Sequence, residues 1–354
     1  MLQKLSIVAG ILVMLSVVLW FVGTDSSSTV GQPKQNVTIL SELDTQKLFR
    51  IDIQGSKDKV GLVKGTDLRW KVEGMNYDAD SKKIQELLVQ LLKVKLGDKV
   101  TEKVEHHARF QLIHLKDNNN QWEEQKTGKL LHLKGPEGTT LLEILLGKNR
   151  SEKSGSQQGQ YIRYADKPAV YLIAENIDLD VTGEDWLDTE IMDLKGSDLF
   201  KTIELQRTTE IFRFMRKTAQ DEWSAEGLKK EKLNQTAIQS MSNALENLTF
   251  DNIVPMNTPV EKTGRQELTY YVVELFDGRI VRLSVGEREA GEEKNYYVAV
   301  EMDLGKDVND ETLKGEVQEF NQRSKPWLYS VSSWVGQRFL KQRSDLITDD
   351  KEAE

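Results

Sequence analysis

The chain contains no cysteine among its 354 residues. This absence excludes disulfide cross-links, a lipid-modified cysteine, thiolate metal ligands and a thiol nucleophile. Histidine is also scarce, because the four histidines all lie in the first half of the chain, at His106, His107, His114 and His132. The second half therefore lacks the base on which the usual serine nucleophile depends.

Motifs for phosphate binding and hydrolysis are absent too. The sequence contains no G-x-x-x-x-G-K-[ST], no G-x-S-x-G and no H-E-x-x-H. The chain is therefore not itself a P-loop ATPase, and it has neither a hydrolase nucleophile elbow nor a zinc-protease helix. We expect no catalytic residue, no cofactor and no metal, and thus a protein that is not an enzyme.

Basic residues are fewer than acidic ones, 48 against 57, which gives a net charge of −9. An acidic surface repels nucleic acid and anionic lipid headgroups. Nucleic acid is therefore not an expected partner.

Long hydrophobic runs are missing except at residues 5–23, which contain no charged side chain. A helix of this length is about 28 Å long and matches the hydrocarbon core of a bilayer. Lys4 precedes the run and Asp25 follows it, so the positive-inside rule places residues 1–4 in the cytoplasm. We predict a signal anchor in a bacterial inner membrane with a periplasmic soluble part, the alternative being a cleaved signal peptide. Residues 24–47 have the composition of a flexible tether.

An internal repeat occupies the remainder of the chain. The strand-like phrase "LFRIDIQG" at 48–55 returns as "LFKTIELQ" at 199–206. Trp70 in "DLRWKVEG" then corresponds to Trp223 in "QDEWSAEG". Each tryptophan is followed by a stretch with the apolar spacing of an amphipathic helix, and Asp80 and Asn234 occupy the N-cap positions.

After each helix the apolar period falls to two, which predicts antiparallel strands. The first copy offers "ARFQLIHL", "GKLLHLKG", "TTLLEILLG" and "QYIRY", and the second offers "ELTYYVVELF", "GRIVRLSVG" and "NYYVAVEM". The copies close on "KPAVYLI", with Tyr171, and "KPWLYSV", with Tyr329. This predicts an α+β fold: an N-terminal transmembrane helix, then two tandem copies of an antiparallel-sheet-plus-helix unit at 48–194 and 195–343, and an acidic tail at 344–354.

The order of these features resembles the bacterial family known as domain of unknown function 4340. The resemblance is carried by "WKVEGMNYDAD" with Trp70, Tyr77 and Asp80, by "GQYIRYADKPAVYLI" with Tyr161 and Tyr171, and by "DWLD" around Trp186. Members of the family look like envelope proteins that accompany ABC-type transport systems associated with gliding motility. The resemblance implies a membrane-anchored, non-catalytic accessory or scaffold subunit that contacts a permease or a companion exported subunit. It implies no catalytic residue.

Two local patterns leave other functions open. His114 and His132 lie on neighbouring predicted strands and could bind a metal with a carboxylate, although a surface position is the simpler interpretation. Trp186 is surrounded by acids, a pattern typical of glycosidase sites, at Glu184, Asp185, Asp188 and Glu190. A buried Trp186 is the favoured interpretation, because Trp334 stands in a similar place in the second copy without the acids. An exported envelope glycan hydrolase, or a ligand-binding sensor with a pocket between the copies, is the alternative to an accessory role.

Residues 303–311, "DLGKDVNDE", have the acidity of a calcium loop but lack the glycine that an EF-hand requires at its sixth position. We interpret them instead as the cap of a helix that begins at "ETLKG".

Overall fold

The computed structural model describes residues 38–40, 44–150, 158–225, 231–290 and 293–349. Within these ranges the chain forms two compact units. The first unit ends at Asp188, and the second unit begins at Thr189.

The first unit is built around a nine-stranded sheet. Its elements are β1 (Arg50–Gln54), β2 (Lys59–Lys64), β3 (Trp70–Val72), β4 (Tyr77–Asp78), α1 (Ser81–Lys93), β5 (Lys99–Thr101), β6 (Lys129–Lys134), β7 (Thr140–Asn149), β8 (Gln160–Tyr164) and β9 (Val170–Ile173). The strand order is β4-β3-β2-β1-β6-β7-β8-β9-β5. All neighbouring strands in this sheet are antiparallel.

Alternation along the strands separates the two faces of this sheet. Ile51 and Ile53 of β1 are fully buried, whereas Asp52 between them points to the opposite, polar face. Helix α1 follows the predicted pattern, and its buried residues are Ile84, Leu87 and Leu91. Asp80 caps α1, because its Oδ1 accepts the backbone N–H groups of Lys82 at 2.9 Å and Lys83 at 3.0 Å.

The segment before β6 covers part of the polar face and is not a strand. The strand predicted for "ARFQLIHL" is wrong: Val104–Phe110 is a 3₁₀ helix that ends at Gln111, whose φ of 57° is left-handed. The apolar alternation in this segment has a different cause. Phe110 and Leu112 pack with Leu145 and Val170 in a small core on this side of the sheet.

The second unit contains an eight-stranded sheet, two further strand pairs and five α-helices among the described residues. Its elements are β10 (Glu190–Met192), β11 (Phe200–Gln206), β12 (Ile211–Met215), β13 (Ser224–Ala225), β14 (Glu231–Leu233), α2 (Gln235–Ser242), β15 (Leu248–Thr249), β16 (Asn252–Pro255), α3 (Val260–Thr263), β17 (Leu268–Leu275), β18 (Arg279–Ala290), β19 (Glu293–Leu304), α4 (Glu311–Ser324), β20 (Trp327–Val331), α5 (Ser333–Arg338), α6 (Arg343–Leu346) and β21 (Ile347–Asp349).

The main sheet of the second unit has the order β13-β12-β11-β17-β18-β19-β20-β16. This is the order of the eight strands from β3 to β5 in the first sheet, element for element. The helix after the opening strands differs in length, since α1 has 13 residues and α2 has 8. Asn234 caps α2 by accepting the backbone N–H of Ala237 at 3.0 Å.

The predicted transmembrane helix at 5–23 and the cytoplasmic residues 1–4 lie outside the described residues. Of the helices that the structure describes, none is long and apolar enough to cross a membrane. The predicted fold class, which began with such a helix, is therefore corrected to a chain built mostly of antiparallel sheets.

Short described parts of the predicted tether and tail have defined structure. Ile39 and Leu40 are buried, and the backbone N–H of Ile39 donates to the Val94 carbonyl at 3.1 Å. Near the other end, β21 pairs with β14. The predicted cap at 303–311 is confirmed, because Asp310 accepts the N–H groups of Thr312 and Leu313 at the start of α4.

Candidate functional site

The register of the first sheet aligns a row of polar side chains across its centre. Asp52 of β1 lies opposite His132 of β6, and His132 lies opposite Glu143 of β7. Because residues paired across antiparallel strands lie on the same face, all three side chains share the polar face. This row is the candidate site that the sheet itself assembles.

Both histidines that the sequence singled out as metal candidates approach Glu143. His114 Nε2 lies 3.5 Å and His132 Nδ1 lies 3.7 Å from Glu143 Oε1. His114 does not reach this place from a strand, as predicted, but from the N-cap of a 3₁₀ helix at Leu115–Asn118. Its Nδ1 accepts the Lys116 backbone N–H at 3.0 Å, so a neutral His114 ring carries its proton on Nε2, facing Glu143.

The electrostatics of this cluster favour an ionised glutamate. Burial opposes ionisation of Glu143, but His132, Lys116 and His114 outweigh it and hold the pKa of Glu143 below its ordinary 4.5. Burial lowers the pKa of His132, against the attraction of Glu143. His132 Nε2 also lies 2.9 Å from Thr140 Oγ1.

The same face of the sheet also carries a group of charged side chains that form ion pairs. Arg50 donates to both carboxylate oxygens of Glu73, at 2.7 and 2.6 Å. Arg50 Nε also donates to Asp52 at 2.7 Å, and Lys134 lies 2.7 Å from the other oxygen of Asp52. Each of these four charges has an oppositely charged neighbour, so Arg50, Asp52, Glu73 and Lys134 form a closed network.

The sequence left His114 and His132 open as metal ligands. In the ranges that the structure describes, no group of three or more histidine, aspartate and glutamate side chains could hold a metal ion. The predicted surface position is wrong for His114, which is only 5% exposed, and His107, for which no position was predicted, is equally buried. His107 Nε2 lies 2.9 Å from the Pro168 carbonyl oxygen, and neither histidine could have been assigned to the interior from spacing alone.

The acidic segment around Trp186 is anchored by the buried side chain of this tryptophan. Trp186 is 2% exposed, and its indole N–H donates to the Asp180 carbonyl at 3.0 Å. Lys83 of α1 lies 4.8 Å from the centre of the ring and donates to the Asp185 carbonyl at 2.6 Å. The Asp185 carboxylate accepts the Thr182 hydroxyl. A buried ring offers no face to a sugar, which confirms the packing interpretation of Trp186.

Neighbouring acids of that segment lie at its surface. Glu184 and Glu190 are exposed, and Asp188 is half-buried. The backbone N–H of Asp188 donates to the Asp78 carbonyl at 2.9 Å, which fixes the segment beside the start of α1. Glu190 opens β10, which belongs to the second unit.

The remaining signature residues serve packing and capping. Tyr77, Trp223 and Tyr329 are buried, with exposures of 2%, 5% and 0%. Trp70, Tyr161 and Tyr171 are half-buried strand residues, and Asp80 and Asn234 are the caps described above.

Trp334 departs from its predicted packing role. It is 67% exposed on α5, with the Arg338 guanidinium over its ring at 3.3 Å from the centroid. Its local sequence differs from that of the buried Trp186 in lacking the acids, but this difference does not indicate that Trp334 is exposed. The sequence also gave no sign that Arg163 is buried, where its Nε donates to the Leu112 carbonyl at 2.8 Å.

Comparison with known proteins identifies a family and no relative of known activity. No curated protein and no solved structure matches the chain. A family model described as "Domain of unknown function (DUF4340)" matches residues 70–269. This match begins at Trp70 of β3, ends within β17 and covers more than half of the 354 residues. The chain therefore belongs to the DUF4340 family.

Proposed function

We propose that the protein is a non-catalytic accessory or scaffold subunit of an ABC-type transport system in a bacterial cell envelope. In this proposal its folded part lies on the periplasmic side and binds the permease or a companion exported subunit. The association with ABC-type transport rests on the family resemblance of the sequence.

The observation that supports a binding role over a catalytic one is the charge pairing in the first unit. Arg50, Asp52, Lys134 and Glu143 all have partners within 4 Å on the polar face. Such a network holds strands in register and presents a charged but compensated surface. The acidic segment at Trp186 is likewise engaged in packing.

A crosslinking experiment tests this proposal. The full chain with a C-terminal affinity tag is expressed at its native level, crosslinked in living cells, purified and analysed by quantitative mass spectrometry. We expect a multi-span permease and a P-loop ATPase to be recovered in a fixed ratio to the tagged chain. Recovery of the chain alone, or with cell-wall fragments only, contradicts the proposal.

Matched variants separate this role from that of a glycan hydrolase. Asp185→Asn and Asp188→Asn remove the acids beside Trp186 without a large change in volume. A non-catalytic subunit retains its partners and its transport phenotype in both variants. Loss of an envelope-degrading activity with an unchanged fold would instead support hydrolysis.

A further inference from the structure

An open groove of about 740 Å³ lies in the second unit. One wall is the end of α2 with the chain that follows it to β15, and the other is α5 with the chain after it. We call it the Trp334 groove and define it by six of its lining residues: Glu246, Asn247, Thr249, Trp334, Arg338 and Lys341. Its volume falls within the range of small-molecule sites, which is roughly 300 to 1,000 Å³.

Trp334 provides this groove with an exposed aromatic surface. Arg338 stacks on the indole, yet 67% of the residue remains accessible. Burial of a tryptophan contributes more to stability than burial of almost any other side chain, so a tryptophan left this exposed beside a cavity is available to a ligand.

Two cations in the groove lack a carboxylate partner. Within the described part of the chain, the side chains of Arg338 and Lys341 form no ion pair. Burial lowers the pKa of Arg338, since no carboxylate offsets its desolvation. In a chain with a net charge of −9, this groove is lined by two cations, Arg338 and Lys341, and one carboxylate, Glu246, so its local charge is positive and favours an anionic ligand.

The walls of the groove are held in place by the core beneath them. A Cβ at Gly336 would lie 2.2 Å from the Tyr296 ring, so α5 is seated directly on that buried tyrosine. Asn247 has a φ of 48°, and its backbone N–H donates to Asp193 Oδ1 at 3.0 Å. This turn leaves the Asn247 amide at the surface, where it can bond a ligand.

The equivalent place in the first unit is closed. There, Gln90 of α1 donates to the Asn176 carbonyl at 3.1 Å, and Lys83 of α1 lies 2.5 Å from Asp180. Both contacts join α1 to the chain that follows β9. The corresponding contacts in the second unit would join α2 to the chain that follows β20. The two units thus share a strand order but differ at this position: Lys83 of the first unit is paired with Asp180, whereas Arg338 and Lys341 of the second have no ion pair among the described residues.

We propose that the Trp334 groove binds an acidic saccharide. Trp334 stacks on a pyranose ring, Arg338 and Lys341 bind the sugar carboxylate, and the Asn247 amide, the Thr249 hydroxyl and the Glu246 carboxylate bond the sugar hydroxyls. An aromatic face with amide, hydroxyl and carboxylate groups suits a polyhydroxylated ring, and the two cations select its charged form. This inference is independent of the accessory role.

Binding of four probes to the full-length protein is measured by isothermal titration calorimetry. Two are acidic sugars, tetragalacturonate and a disaccharide containing N-acetylmuramic acid. The third is galactotetraose, a neutral tetrasaccharide, and the fourth is a tetra-aspartate peptide. We expect at least one acidic sugar to bind, with an affinity that falls as salt is raised, and the neutral sugar and the peptide to bind at least about tenfold more weakly.

Variants assign the binding to the groove. Trp334→Ala and Arg338→Ala are expected to weaken binding of the acidic sugar by about tenfold or more. The matched controls in the same unit are Tyr270→Ala, 42% exposed on β17, and Arg213→Ala, whose side chain is 57% exposed on β12. Both should bind like the unmodified protein, and circular dichroism checks that all four variants are folded.

Several results would overturn the proposal. Failure of both acidic sugars to bind excludes it, as does equal binding of galactotetraose or of the peptide. Binding that survives Trp334→Ala and Arg338→Ala in folded protein places the ligand elsewhere on the chain and also excludes it.

Discussion

At the scale of single residues, the buried His107 gives the protein a predictable dependence of stability on pH. His107 lies on a 3₁₀ helix with its ring against the Pro168 carbonyl. Burial lowers its pKa from the ordinary 6.5, and the nearby Arg163 acts in the same direction, while the Pro168 hydrogen bond opposes them. The unfolded chain therefore binds a proton at a higher pH than the folded chain does.

This pKa difference sets the sign of a pH dependence. Below about pH 6.5 the unfolded state binds more protons, so the free energy of unfolding falls as the pH is lowered towards the folded-state pKa. We expect His107→Gln, whose amide can still donate to Pro168, to reduce the loss of stability between about pH 7.5 and about pH 5.5. Urea denaturation followed by fluorescence at the two pH values measures it.

His106→Gln is the matched control for this prediction. His106 lies beside His107 on the same 3₁₀ helix but is only half-buried. An equal change of pH dependence in both variants would show that burial of His107 is not its cause.

Trp186 provides a second prediction at the residue scale. Because its ring is 2% exposed and its N–H is bonded to Asp180, Trp186→Ala should destabilise the protein by about 3–5 kcal/mol. Trp186 ends a 3₁₀ helix at Glu184–Trp186. Asp185→Asn, which alters an exposed side chain in this helix, should stay within about 0.5 kcal/mol of the unmodified protein. Guanidinium denaturation compares them, and a small effect of the alanine variant would argue against the role of Trp186 as the buried anchor of this segment.

At the scale of elements, the apolar periodicity predicted most strands. It failed where side chains alternate in burial but the backbone does not pair with a neighbouring strand. Phe110, Leu112 and His114 alternate in burial as a strand would. The left-handed Gln111 breaks the extended backbone between them, so these side chains are buried by local packing and not by a sheet ladder. A pattern of period two reports which side chains face the interior, and it does not report whether the backbone has a paired neighbour.

Helix capping was predictable because it depends on a single side chain and its own backbone. Asp80→Ala removes the oxygen that accepts two N–H groups of α1 and should cost about 1 kcal/mol. Asp80→Asn keeps an acceptor in place and should cost less than half as much. Thermal denaturation of the two variants tests this, and equal losses would assign the effect to the charge of Asp80 instead of its hydrogen bonds.

At the scale of the whole molecule, two units with the same strand order carry different surfaces. The repeat was visible in sequence because the core positions kept their chemistry, as with Ile51 and Ile203, which are both fully buried. The convergence of His114 and His132 on Glu143 depends on a 3₁₀ helix that brings distant residues together. The exposure of Trp334 depends on a difference between the units: α1 of the first unit is joined to the chain after β9 through Gln90 and Lys83, and among the described residues α2 of the second is not joined to α5 in this way. Neither follows from local spacing.

The boundary between the units gives the last prediction. The chain was predicted to divide after residue 194, but residues 190–194 belong to the second unit: Ile191, Met192 and Leu194 are buried, and β10 pairs with β15. Arg323 also donates to the Ile191 carbonyl at 2.8 Å. Three buried apolar side chains contribute on the order of 4 kcal/mol or more.

A fragment of residues 189–349 should therefore unfold cooperatively, and a fragment of residues 195–349 should be less stable by at least that amount. Guanidinium denaturation of the two fragments, followed by circular dichroism, makes the comparison. Equal stability would show that β10 is a linker that merely rests on the second unit. If neither fragment folds, the second unit is not an independent folding unit, and its stability depends on residues before Thr189.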